Sequence, residues 1–109
     1  MVQTFDAATL DRLVATSPVP VLVDFWADWC APCLAFAPQL DEFAHGQYGR
    51  VIVGKVDVDN NPGAIRKYEV QSVPTLGLWI DGRLLYRQPG ILTATQLDTL
   101  VAPHRQYVV

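Results

Sequence analysis

Only two cysteines and two histidines occur in the chain, and this scarcity limits the chemistry open to it. A zinc site takes about four ligands, and beyond Cys30 and Cys33 only His45 and His104 could add nitrogen or sulfur. No metal site is expected. Cations are also few: eight Lys and Arg against eleven Asp and Glu give a net charge of -3 and a pI near 5.1. That balance offers no cationic field to nucleic acid or to an anionic membrane. No apolar run approaches a membrane span. Residues 1–6, Met-Val-Gln-Thr-Phe-Asp, lack the positive segment and apolar core of an export signal. The expectation is a cytoplasmic protein without membrane or nucleic-acid partners. No glycine-rich phosphate loop is present, so no cofactor is expected to be bound on the chain itself.

Half of the 109 residues are hydrophobic. They suffice for one core and leave no room for a second, so residues 1–109 read as a single domain. The chain is organised around residues 25–33, Phe-Trp-Ala-Asp-Trp-Cys-Ala-Pro-Cys, which follow an apolar strand and open a helical pattern. A disulfide between Cys30 and Cys33 would close a very short loop and make a poor staple, which points to a chemical use for the pair. With Cys30 at the helix start, unpaired backbone N–H groups and the positive end of the helix dipole favour a thiolate there. Cys30 is then the attacking sulfur and Cys33, one turn deeper, the resolving one. Pro32 tolerates the first helical turn and holds the sulfurs close, while Trp29 and Ala31 leave an apolar rim. Two inert buried thiols are the alternative, but Trp-Cys-x-Pro-Cys after an apolar strand is more specific than a bare C-x-x-C.

Taken in order, residues 2–5 suit a short strand, and Asp6 caps a helix from Ala7 with Phe5 and Leu10 as its hydrophobic staple. Val21–Trp26 is nearly continuous apolar residue, as in a central strand covered on both faces. Asp24 interrupts it, either as a paired structural charge or as a functional acid/base whose pKa burial would raise. The helix from Cys33 carries Phe36, Leu40 and Phe43 on one face, contains Pro38 and ends near Gly46. Residues 51–58 form another buried strand with Lys55 as its only cation. Lys55 wants a counter-charge, for which Asp24 is the nearest sensible partner, or its stem packs while the amine reaches solvent. Asp59 or Asn61 can cap a short helix opened by Pro62. Asp81-Gly82 is a two-residue hairpin signal, and Thr93-Ala94-Thr95-Gln96 is a capping box for the last helix, which Pro103 stops.

Residues 21–33, with Pro38, residues 57–62, Val73-Pro74-Thr75 and Asp81-Gly82, resemble thioredoxin across essentially the whole chain. The resemblance implies a thioredoxin fold, a five-stranded mixed sheet flanked by four helices. It implies a protein-disulfide reductase with a redox-active Cys30-Cys33 disulfide and Asp24 as proton acceptor for Cys33. Lys55 would modulate Asp24, Pro74 would follow a cis bond against the dithiol, and Gly90 would bring backbone close to the groove. The Val73 backbone would pair with an extended substrate by strand addition. Partners would be disulfide-containing target proteins and a thioredoxin reductase fed by NADPH, the chain acting as a monomer. Ala31-Pro32 lies closer to the reductase pattern than to oxidants with histidine there. Ala31 replaces a usual glycine, Leu34 a frequent lysine and Trp79 a usual phenylalanine, and Gly77 falls inside a strand.

Overall fold

The apolar run at Val21–Trp26 becomes the middle strand of a five-stranded mixed sheet, as burial on both faces requires. The computed structural model describes residues 2–105. Its elements are β1 (Gln3–Thr4), α1 (Ala7–Thr16), β2 (Val21–Trp26), α2 (Ala31–Ala44), β3 (Ile52–Asp57), α3 (Pro62–Lys67), β4 (Thr75–Ile80), β5 (Arg83–Pro89) and α4 (Ala94–Val101). A short 3-10 turn, Ala102–His104, follows α4 and contains Pro103. The strand order is β1-β3-β2-β4-β5, with β1, β3 and β2 parallel and the β4-β5 hairpin antiparallel.

Alternation along β2 divides the core. Val21, Val23 and Phe25 pack with Leu10, Ala64, Tyr68 and Trp79 on the side of α1 and α3, whereas Leu22 packs with Phe36, Leu40 and Leu97 from α2 and α4. Asp24 follows Leu22 by two residues and so faces α2. Leu22 and Phe25 are fully buried, each worth about 1.5–3 kcal/mol. Their burial fixes the strand that carries the carboxylate between its apolar neighbours.

Local signals act largely as expected. Asp6 Oδ1 accepts from the Thr9 amide at 2.8 Å, Gly46 follows α2 with a φ of 85°, and Pro38 sits inside α2, which continues to Ala44. Thr93 and Gln96 form both halves of the capping box. Asp81 and Gly82 both adopt positive φ, 52° and 79°, the backbone of a tight hairpin turn. The cap of α3 differs. Asn61 is its N-cap, yet neither Asn61 nor Asp59 caps it through its side chain. Asn61 Oδ1 instead accepts from the Ala7 amide at 3.0 Å and its Nδ2 donates to the Asp57 carbonyl at 2.9 Å, so the residue ties the start of α1 to the end of β3.

Gly77 and Trp79, two apart on β4, form one packing unit. A Cβ on Gly77 would lie 2.5 Å from two carbons of the Trp79 ring. That ring is held edge-on by Phe25 and Tyr68 at centroid distances of 6.2 and 5.2 Å. The strand glycine is therefore the space the larger aromatic fills. Gly77→Ala should cost about 1–3 kcal/mol by overpacking, and the loss should shrink in a Trp79→Phe background. Denaturant melts of the four proteins decide this, and strictly additive losses would contradict it.

Candidate active site

Beyond β2 the chain turns through residues 27–29, and the Cys30 amide donates to the Ala27 carbonyl at 3.2 Å. Cys30 is the N-cap of α2, with extended backbone (φ -92°, ψ 106°) and a sulfur that accepts from the Cys33 amide at 3.2 Å. The cysteine thus occupies the place where Ser, Thr, Asp or Asn commonly caps a helix, with a backbone donor aimed at its Sγ. Cys30 and Cys33 are joined by a disulfide across a Cα separation of 5.2 Å. Both are buried, whereas Ala31, Pro32 and Leu34 around them are exposed.

The Val73-Pro74 bond is cis, and the Val73 carbonyl lies 3.7 Å from Cys30 Sγ. Pro74 is buried and Val73 half-buried beside the dithiol. The Gly90 amide donates to the Pro74 carbonyl at 2.9 Å. A Cβ on Gly90 would meet no atom within 4 Å. No contact within this chain therefore requires glycine there, whereas its φ of 104° does.

Trp29 is 68 % exposed and is held by a 2.8 Å hydrogen bond from its indole Nε1 to Asp59 Oδ2. The sequence suggests Asp59 only as a possible helix cap. Its role as the tether of Trp29 depends on two loops meeting, which no local pattern marks. Beneath Trp29 a slot of about 240 Å³ is lined by Val58, Ile65, Val70 and Val73 among others.

Asp24 lies on the α2 side of the sheet, almost wholly buried, and its Oδ1 has no hydrogen-bond partner among the described residues. It shares a cavity of about 160 Å³ with Cys33, Leu34, Trp26 and Lys55. Burial pushes its pKa up to about 7, with the Lys55 charge opposing the rise. Register places Lys55 directly opposite Asp24 on β3. Its ammonium, however, stacks over the Trp26 ring at 4.6 Å from the centroid and forms none of the ion pairs found among the described residues. The expected Asp24-Lys55 partnership is thus a shared cavity rather than a direct pair. Trp26, read from sequence only as a strand residue, is the group that holds the lysine. Both histidines are exposed, and no group of three or more His, Cys, Asp or Glu is placed to hold a metal among the described residues. None of the described helices is long and apolar enough to cross a membrane.

A family model described as thioredoxin matches residues 1–103. The chain is similar to thioredoxin 1 of Chlorobaculum tepidum, 45 % identical over 91 residues that cover 84 % of this chain and 90 % of that protein. It is 40 % identical over 97 residues to thioredoxin of Haemophilus influenzae, covering 89 % and 91 % of the two chains. Among solved structures, chloroplastic thioredoxin z superposes with a TM-score of 0.85 at 33 % identity, covering 94 % of this chain and 92 % of the other. A mutant thioredoxin of Halobacterium salinarum gives 0.84 at 30 % identity, covering 98 % and 93 %.

The buried carboxylate makes a pH-dependent difference to stability. An ordinary aspartate titrates near 3.8, and folded Asp24 near 7. Between those values the folded protein keeps a proton that the unfolded chain has released, so stability falls as pH rises from about 4 to about 7. The full difference is on the order of 4 kcal/mol. Asp24→Asn should remove that slope and leave the oxidised protein more stable at neutral pH. Denaturant melts of both proteins at about pH 4.5 and about pH 7.5 bracket the window. A parallel pH dependence in the two would contradict the assignment.

Proposed function

Because the chain belongs to the thioredoxin family and is accordingly a thiol-disulfide oxidoreductase acting on protein disulfides, we propose the following division of labour within its site. The Cys30 thiolate attacks one sulfur of a target disulfide, forming a mixed disulfide and releasing the other target sulfur as a thiolate that takes up a proton. Cys33 then attacks Cys30 Sγ and the second target thiol leaves. Two protein thiols are oxidised to the Cys30-Cys33 disulfide while one target disulfide is reduced to two thiols.

The observation that carries this assignment is the amide of Cys33 pointing at Cys30 Sγ from the first turn of α2. A negative sulfur gains most from that donor and from the helix dipole. Asp24 takes the proton from Cys33 through the cavity the two share. Its pKa near 7 lets it accept a proton at neutral pH and give it up again. Lys55, held on Trp26, keeps a positive charge in the same cavity and tempers the rise in the Asp24 pKa.

The target's extended backbone pairs with Val73, which makes no backbone–backbone hydrogen bond among the described residues. Trp29, Ala31, Pro32 and Leu34 form an exposed collar around the sulfurs. Leu34 exchanges a cation's long-range attraction for apolar contact area. Gly90, through its bond to the Pro74 carbonyl, fixes the far wall of the groove. Electrons reach the protein from NADPH through a thioredoxin reductase, and the chain works as a monomeric electron carrier in cytoplasmic redox homeostasis. Family membership supports these last assignments.

Cys33→Ser should accumulate a covalent mixed disulfide with a target protein, whereas Cys30→Ser should lose reduction altogether and trap nothing. Non-reducing gels and coupled NADPH oxidation with a thioredoxin reductase read both outcomes. Normal turnover by Cys33→Ser would sink the assignment.

A further inference from the structure

Beside the Val73-Pro74 segment lies a further cavity, of about 210 Å³, lined by Glu69, Gln71, Ser72, Thr75, Arg87 and Pro89. Ser72 and Thr75 flank the Val73-Pro74 bond, and Thr75 pairs with Pro89 at the end of the hairpin. Arg87 comes from β5, directly opposite Gly77. Its side chain is 34 % exposed and reaches across to the end of α3. There one nitrogen, Nη1, donates to the Tyr68 carbonyl at 3.4 Å and to Glu69 Oε2 at 3.3 Å.

Both contacts are long, and among the described residues all hydrogen bonds of this guanidinium run through Nη1. A guanidinium has five N–H donors arranged to grip a carboxylate with two of them. Its present partner is weak: the Glu69 side chain is 72 % exposed, and an ion pair so exposed contributes little. Glu69 also adopts a φ of 56°, in the left-handed region that favours glycine, so its place at the cavity mouth is not one that backbone preference selects.

We propose that this cavity is a specificity subsite for an acidic side chain of the target protein, two residues from the cysteine that Cys30 attacks, with Arg87 as its ligand and Glu69 as the carboxylate it displaces. The inference rests on the reading above, in which the target strand pairs along Val73. Strand residues rise about 3.3 Å each and alternate faces, so the side chain two positions from the attacked cysteine shares its face and lies about 7 Å along the segment. Thr75, two residues from Val73, lines the cavity, so a step of that length along the segment reaches its wall. The chain as a whole is acidic, with a net charge of -3, and Leu34 supplies no cation beside Cys30. Arg87 is the cation that lines this cavity.

Peptides that each carry one internal disulfide and differ only two residues before or after a cysteine, where they hold Glu, Gln or Lys, test this. Single-turnover reduction by the reduced protein at low salt should favour Glu over Gln by about fivefold at one of the two positions. Arg87→Gln should bring that ratio to about one, and Glu69→Gln should raise it by removing the competitor. Added salt should shrink the preference. A Glu-to-Gln ratio near one in the unmodified protein, or a preference that survives in Arg87→Gln, would overturn the subsite while reduction of the Gln peptide leaves the oxidoreductase reading standing. Failure to reduce any of the peptides would overturn that reading and the subsite with it.

Discussion

One backbone donor, the Cys33 amide aimed at Cys30 Sγ from 3.2 Å, is the contact on which the rest of the molecule converges. It exists because α2 begins where it does, and α2 begins there because β2 ends in a corner with Cys30 as the N-cap. β2 is held in the centre of the sheet by neighbours on both sides and apolar side chains on both faces. Loosening that strand would misplace the sulfur, since the donor, the dipole and the neighbouring Val73 carbonyl are all fixed relative to it. The mixed sheet serves in this sense as a holder for a single helix terminus.

Asp24 is a costly residue for the same strand to bury. A carboxylate with an unpartnered oxygen in a nearly closed site is destabilising wherever it is ionised, and the adjacent lysine could have neutralised it at close range. Instead Lys55 stacks on Trp26. Attraction to the aromatic face keeps the cation near enough to moderate the carboxylate without closing an ion pair that would hold it permanently charged. An acid poised near neutrality, in a cavity shared with Cys33, follows from that arrangement.

Much of this was legible in the amino-acid order, and the reasons differ by element. The two-sided burial of β2, the Asp81-Gly82 turn, the Thr93-Gln96 capping box and the placement of Cys30 at a helix start each follow from neighbours within a few residues. What escaped were side chains whose partners come from other elements. Asn61 looked like a cap and ties α1 to β3 instead; Asp59 looked like a cap and tethers Trp29. For Lys55 the sequence offers the nearest opposite charge or a packed stem with a solvated amine, and the ring of Trp26 holds the ammonium instead. Gly77 and Trp79 stood out separately as departures from a family pattern, and only the packing makes them one feature. Arg87 carried no local signal at all, because its meaning comes from the hairpin register that sets it across from Gly77 and within reach of α3.

The central claim, that the start of α2 makes Cys30 and not Cys33 the reactive sulfur, is tested most directly by alkylation of the fully reduced protein. The protein is exposed to limiting iodoacetamide at a series of pH values, and the modified cysteine is identified by mass spectrometry of its fragments. The account predicts label almost entirely on Cys30 below neutral pH, with Cys33 modified only slowly and at higher pH. Equal labelling of the two, or a faster reaction at Cys33, would contradict it.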